Sequence, residues 1–159
     1  MAYTFISKTE LSSSTTAVVI GSIPNTYAHL QLQMDMTVDS DFSPFMRINN
    51  STSSYYQSGL RSENTFETYF NTTSVSRIFL DEVTSTTPAG NLSFIVDCLD
   101  YTNTNIRTTL CWRGGQANYY TSFGTALWTN NTAITQLSIQ SFTGNILAGS
   151  TFTLWGVTA

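Results

Sequence analysis

The chain has 159 residues, a length that fits one domain able to bury about 70% of the surface its unfolded form exposes. Charged residues make up 10% against the usual quarter or so, while 41% are hydrophobic and 13% aromatic, which excludes the disordered class. The net charge of -4, with one lysine and five arginines scattered along the chain, leaves no phosphate-binding footprint, so nucleic acid is excluded as a partner.

Roughly three residues in ten are Ser or Thr, so the surface is polar through hydroxyls and amides rather than charges. No run reaches the 18 or so apolar residues of a membrane helix, and Met1 to Ile6 lacks the basic start and apolar core of a secretion signal. No membrane partner is expected, and the product is expected to be soluble and made in the cytoplasm of its producer.

In chain order, residues 2 to 8 and 15 to 20 read as strands, with 1 to 8 able to serve as an N-terminal arm or edge strand. Gly21 to Tyr27, with Pro24, stops the second strand. Leu30, Leu32, Met34, Met36 and Val38 then alternate with Gln31, Gln33, Asp35 and Thr37, the pattern of a half-buried strand over 29 to 38. Phe45, Met46 and Ile48 suggest a short strand, and Asn49 to Ser54 a polar turn. The Ser/Asn-rich run from Ser40 to Gly59 as a whole is the one flexible candidate, expected as a loop at one end of the domain. Tyr55 to Gln57, Thr65 to Phe70 and Arg77 to Val83 continue the series of strands, and Thr84 to Asn91 reads as a loop.

Cys98 and Cys111 fall on two expected strands, 92 to 101 and 106 to 113, joined by Thr102 to Asn105. That loop length sets Tyr101 opposite Ile106, Asp100 opposite Arg107 and Cys98 opposite Thr109, which leaves Cys111 a diagonal neighbour too distant for easy bridging. Free, buried thiols are expected at both positions, with a bridge as the alternative. Arg113 to Gln116 reads as a turn into the aromatic stretch Ala117 to Leu127.

The C-terminal region organises the rest. Ile134, Leu137 and Ile139 lead through Phe142 to Asn145 into Phe152, Leu154 and Trp155, two strands joined by a turn region. The last strand needs neighbours, and the best candidates are Tyr3 to Ser7 and Leu30 to Val38. Both of its parities carry apolar bulk, so it is expected inside the sheet, with Gly149 as a tight approach and Gly156 permitting close backbone contact. Short strands every eight to twelve residues with turns between them predict an all-β, single-domain antiparallel β-sandwich over 1–159, of which a jelly roll is one form.

Candidate chemistry is sparse. The single histidine, His29, lies on the polar face of its strand and reads as a surface or capping residue. Asp39-Ser40-Asp41, Asp81-Glu82, and Asp97 with Asp100 could offer oxygens to calcium, but none has the spacing of a known calcium loop, so solvated turn carboxylates are the reading. No catalytic residue, cofactor site or metal site is assigned, and no enzyme activity is expected. In the doublets Tyr55-Tyr56 and Tyr119-Tyr120, alternation sends one ring inward and one outward. Those four tyrosines and Trp128 are the interface candidates, with stacking on a sugar as the alternative use of the rings. The Asn-x-Ser/Thr triplets at Asn50, Asn71, Asn91 and Asn130 are what chance gives in so Asn- and Thr-rich a chain.

Gly21-Ser22-Ile23-Pro24-Asn25-Thr26-Tyr27-Ala28-His29-Leu30, then Leu127-Trp128-Thr129-Asn130-Asn131-Thr132-Ala133-Ile134-Thr135, then Ala148-Gly149-Ser150-Thr151-Phe152-Thr153-Leu154-Trp155-Gly156-Val157, resembles a group of small virion proteins of tailed bacteriophages, common in marine and cyanobacterial phages. The likeness lies at both ends of the chain, and the middle departs freely. The resemblance implies a virion structural protein assembled in the host cytoplasm, in the first instance a capsid cement or decoration protein. Its partners would be the major capsid protein and copies of itself, as a trimer by analogy. The alternative it implies is a tail-fibre or receptor-binding module that recognises host surface glycans. A stand-alone carbohydrate-binding domain or hydrolase is a third reading. No catalytic residue carries over from the group.

Overall fold

The computed structural model describes residues 2–39, 42–63, 66–81 and 88–158. Ser40, Asp41, Glu82 and residues 84–87 of the expected 84–91 loop lie outside the described residues, so the carboxylate groupings of Asp39 with Asp41 and of Asp81 with Glu82 have no structural account.

Every regular element is a strand, as the Thr, Val, Ile and aromatic content favours: β1 (Ala2–Glu10), β2 (Ala17–Ile20), β3 (His29–Val38), β4 (Pro44–Ile48), β5 (Tyr55–Glu63), β6 (Phe66–Val75), β7 (Ile78–Phe79), β8 (Gly90–Leu99), β9 (Thr108–Gln116), β10 (Tyr120–Trp128), β11 (Leu137–Ser141) and β12 (Thr151–Thr158). They form two antiparallel sheets packed as a β-sandwich. The larger has the order β1-β12-β3-β8-β9-β10-β5-β6, the smaller β2-β11-β4-β7.

The pairing follows a simple rule. The first four strands each pair with a strand from later in the chain: β1 with β12, β2 with β11, β3 with β8, and β4 with β7. The chain is thus doubled back on itself and then wrapped, with the paired strands shared alternately between the two sheets. The hairpins β5-β6 and β9-β10 are extra to that scheme, and they extend the larger sheet beyond β8.

The C-terminal strand sits as its composition demands. β12 lies between β1 and β3, with Leu154 opposite Leu32 and Phe152 opposite Met34. Both neighbours were legible, but β11 is not β12's hairpin partner: the chain crosses from one sheet to the other between them. No third layer covers β12. Its inner parity, Phe152 and Leu154, is fully buried, while Thr151, Thr153 and Trp155 on the outer parity stay half-buried. Gly156 is forced by packing, since a Cβ there would lie 2.3 Å from the Tyr27 ring.

The core fills the space between the sheets. β3 contributes Leu30, Leu32, Met34, Met36 and Val38, all at most 2% exposed, against Met46, Ile48, Leu137 and Ile139 of the smaller sheet. In the extension, Gly59 and Gly124 are cross-strand partners, and the rings of Phe70 and Trp112, stacked at 6.3 Å, occupy the room their missing side chains leave.

Three expectations need correction. The β8-β9 register is shifted by one residue: Cys98 faces Leu110, Leu99 faces Thr109 and Asp97 faces Cys111. Both strands end short of the expected loop because Asp100 takes a left-handed conformation, φ 51°, which terminates pairing at Leu99. The thiols are free, and the register shows why: Cys98 is buried on the inner side while its near neighbour Cys111 is on the other face. Second, Arg113 to Gln116 belongs to β9, and the turn is formed by residues 117–119. Third, the run from Ser40 to Gly59 is not one loop, because β4 and the start of β5 lie in it, leaving only 49–54 as a turn.

Candidate functional site

The outer face of the larger sheet spans eight strands, and among the described residues no other strand layer covers it. Register fixes what lies on it. One row runs across all eight strands as Tyr69, Leu60, Phe123, Arg113, Ile95, Gln33, Thr153 and Lys8. A second, two residues along, runs Asn71, Ser58, Thr125, Cys111, Asp97, Gln31, Trp155 and Phe5.

The middle of the face is a fixed polar network. Asp97 accepts from Gln31 Nε2 at 2.7 Å and pairs with Arg113 Nη1 at 3.0 Å. Gln33 Nε2 donates to Gln31 Oε1 at 3.3 Å, and the Trp155 indole N–H donates to Gln33 Oε1 at 3.3 Å. Gln31 is consequently 8% exposed although it points away from the core. These polar groups satisfy one another, which leaves few of them free to demand water.

Apolar rings flank that network on both sides. At the β1 edge, Phe5 meets Trp155 edge-on with centroids 5.7 Å apart, and Tyr3 and Phe5 are each more than half exposed. At the other end, Tyr69, Leu60 and Phe123 stand side by side on three neighbouring strands at 64%, 38% and 52% exposure. They border a groove of about 610 Å³ that also reaches Ser58, Arg113 and Thr125. The Tyr69 hydroxyl is within 3.0 Å of Ser58 Oγ. Tyr69, Leu60 and Phe123 form a contiguous row of exposed apolar side chains across three neighbouring strands.

The structure separates the five interface candidates. Tyr56 lies on the outer face and is exposed, and Tyr119 is half-buried in the 117–119 turn. Tyr55, Tyr120 and Trp128 are core residues, not surface rings. The inward and outward split within the Tyr55-Tyr56 doublet is as alternation predicts. Tyr55 accepts the Ile48 N–H at 2.9 Å and anchors the 49–54 turn; burial pushes its hydroxyl above the usual tyrosine range. Burial, reinforced by the Asp81 charge, does the same to Tyr120, whose ring also takes the Arg61 guanidinium at 4.7 Å. Trp128 is buried because β10 alternates Ser122, Gly124, Ala126 and Trp128 inward and Phe123 outward.

Other chemistry-bearing residues have structural employment. His29 Nδ1 accepts the Asp100 N–H at 2.9 Å and so holds the β8-β9 connection, a capping role. Asp97 is engaged in the outer network and Asp100 in the turn. Asp81 is buried against Arg61 at 3.3 Å, and Arg61 reaches Glu63 at 2.7 Å. Among the described residues, no three His, Cys, Asp or Glu side chains gather as a metal site would require.

Leu60, Tyr69 and Phe123 are the site residues that sequence reasoning missed. The available signal was local: Leu60 lies between Gly59 and Arg61 and Phe123 between Ser122 and Gly124, whereas Tyr69 adjoins Phe70, and their alignment into one row depends on the pairing of β5 with both β6 and β10. No protein-family model matches the chain, and no curated protein matches it.

Proposed function

We propose that this chain is a structural protein of a bacteriophage virion, a capsid cement or decoration protein that binds the major capsid protein and copies of itself, and that its sandwich is a jelly roll. The strand order supports the fold reading. With the two added hairpins set aside, β1-β12-β3-β8 faces β2-β11-β4-β7, the two four-stranded sheets made by wrapping a doubled chain, an arrangement found in viral capsid and lectin domains among others. Fold alone does not assign a role. The observation that carries the role is the outer face of the larger sheet, where a self-satisfied polar centre is flanked by exposed rings, a surface suited to lie against another protein. The resemblance at both ends of the chain points the same way.

Localising the protein in an imaged virion tests the reading most directly. A copy number and position matching the head shell are expected, and heads stripped of the protein should lose heat resistance. Recovery only from tail fractions would end the cement reading.

The groove beside Tyr69, Leu60 and Phe123 favours one second reading, a tail-fibre module that holds host glycans, since aromatic rings with hydroxyl and guanidinium neighbours can stack on and hydrogen-bond a sugar. Glycan binding by the intact protein that is lost in Tyr69→Ala would support it. Trp128→Ala is no test of this, because Trp128 is buried.

A further inference from the structure

We propose that Arg47 and Arg77, set against Phe45 and Phe142 on the outer side of the smaller sheet, form a binding site for an oxyanion, the carboxylate or sulfate group of an organic acid. The inference stands on this cluster and is independent of the virion reading.

The cluster is built from three parts of the chain. Phe45 and Arg47 project from β4, Arg77 precedes β7, and Phe142 follows β11. The Arg77 guanidinium carbon lies 4.5 Å from the Phe45 ring centre and 4.1 Å from that of Phe142, and the Arg47 carbon lies 5.2 Å from the Phe45 centre. Two cations therefore share one ring. Their hydrogen bonds hold them in place: Arg47 Nε donates to the Ser76 carbonyl at 3.3 Å, Arg47 Nη1 to Gln140 Oε1 at 3.4 Å, and Arg77 Nε to Ser76 Oγ at 3.1 Å. Every one of these acceptors is neutral.

Lys8, Arg61 and Arg113 each meet a carboxylate, whereas among the described residues Arg47, Arg77 and Arg107 do not, and of these three Arg47 and Arg77 stand together on one aromatic ring. In a chain with ten acidic residues and six basic ones, two unneutralised guanidiniums have been brought to the same aromatic wall. Partial burial chiefly, and the neighbouring Arg47 charge secondarily, lower the Arg77 pKa from its ordinary value, and a bound anion would offset both. The aromatic contacts and the Nε bonds fix the planar forks, with Arg47 Nη1 on Gln140, and the remaining Nη donors are of the kind that binds carboxylate or sulfate oxygens. Phe142, 51% exposed, gives the carbon skeleton of an organic acid an apolar shoulder.

The test uses the full-length, ¹⁵N-labelled protein and follows the arginine Nε–H resonances while sodium glucuronate, sodium sulfate or sodium chloride is added at constant ionic strength. Saturable shifts of Arg47 and Arg77 with glucuronate or sulfate, but not with chloride, are expected, while the exposed Arg107 drifts linearly. Saturation by glucuronate alone assigns a carboxylate source, and saturation by sulfate alone a sulfated one. Arg77→Gln should weaken the effect at Arg47 by about tenfold or more, the loss of a charge-assisted hydrogen bond. Should that variant fold poorly, Arg77→Lys keeps the charge without the planar fork, and weakened saturation at Arg47 is again the expected result. Linear shifts at Arg47 and Arg77 matching Arg107 in the unaltered protein, or saturation untouched by both substitutions, would overturn the proposal.

Discussion

The two halves of the larger sheet are stabilised by different means. Where β12, β3 and β8 face the smaller sheet, the inward side chains are apolar throughout, from Leu32 and Met34 to Val96, Phe152 and Leu154. In the β9-β10-β5-β6 extension the inward positions include Gln57, Arg61 and Ser122, each no more than 4% exposed. Facing them is the segment 76–81, which carries β7, the strand of the smaller sheet that pairs with β4. Gln57 Oε1 accepts the Phe79 N–H at 2.8 Å, Ser122 Oγ donates to the Leu80 carbonyl at 3.0 Å, and Asp81 meets Arg61. Apolar inward side chains rely on area removed from water, whereas inward side chains that meet a neighbouring segment's backbone must pair its polar groups. The first arrangement degrades gradually under substitution, and the second fails when one buried partner is removed.

The largest expected effect comes from removing β12. Deleting Phe152 to Ala159 takes away the strand between β1 and β3, leaves β1 without its partner and bares an apolar edge of β3. No soluble folded protein should be recovered; a truncated form that melts cooperatively near the parent temperature would show that the doubled-back pairing does not hold the sandwich together. Next is Asp81→Ala in the extension, expected to cost about 3–5 kcal/mol in denaturant unfolding because it removes the fully buried carboxylate that faces the buried Arg61 guanidinium, whose other carboxylate contact, Glu63, is half-buried. Leu32→Ala, between the sheets, should cost roughly 2–5 kcal/mol as a cavity. On the opposite parity, Gln33→Ala should cost about 1 kcal/mol, the worth of its hydrogen bonds. Equal losses for Leu32→Ala and Gln33→Ala would contradict the assignment of inner and outer faces.

Thiol labelling probes the same comparison without altering the fold. Burial, with the nearby Asp97 charge, pushes the Cys98 thiol up to about 12, so it should stay unreactive to maleimide until the protein unfolds. Cys111, half-buried on the outer face, is raised too, chiefly by desolvation, and should label slowly in the native state. Rapid native labelling of both would mean that the β8-β9 pair opens readily.

What the sequence made legible follows this division. The alternation in β3, the neighbours of β12 and the all-β class could be read because one parity is wholly apolar and a half-buried strand has to be written that way. The extension could not be read so. Its inward parity mixes Arg61, Ser122 and two glycines with Phe70, Trp112, Tyr120 and Trp128, while Leu60, Tyr69 and Phe123 point outward, so neither parity is wholly apolar and hydrophobicity does not choose between its faces. The β8-β9 register slipped by one residue because a left-handed Asp100 leaves no reliable mark in composition. The Arg47 and Arg77 cluster joins residues 45, 77 and 142, and no spacing along the chain announces it.

The smallest expected effect concerns the join between β3 and the β11-β12 connection. Asp39, just past the end of β3, accepts a hydrogen bond from the Asn145 side-chain amide at 2.6 Å and another from the Asn145 backbone N–H at 2.5 Å, while its own N–H donates to the Asn145 carbonyl at 3.2 Å. The side-chain amide first, then the backbone N–H, stabilise the ionised carboxylate and lower its pKa from the ordinary aspartate value. A carboxyl whose folded pKa is depressed contributes its stabilisation in full above the unfolded pKa, near 3.9. As the pH falls through that range the unfolded chain takes up the proton first, and the contribution is gone once the pH is below the folded pKa. Unfolding midpoints measured across this interval should therefore drop less steeply with falling pH in Asp39→Asn than in the parent, with the two proteins converging at the acid end. Identical slopes would show that the Asp39–Asn145 clasp forms equally in the unfolded chain or contributes nothing to holding the connection against β3.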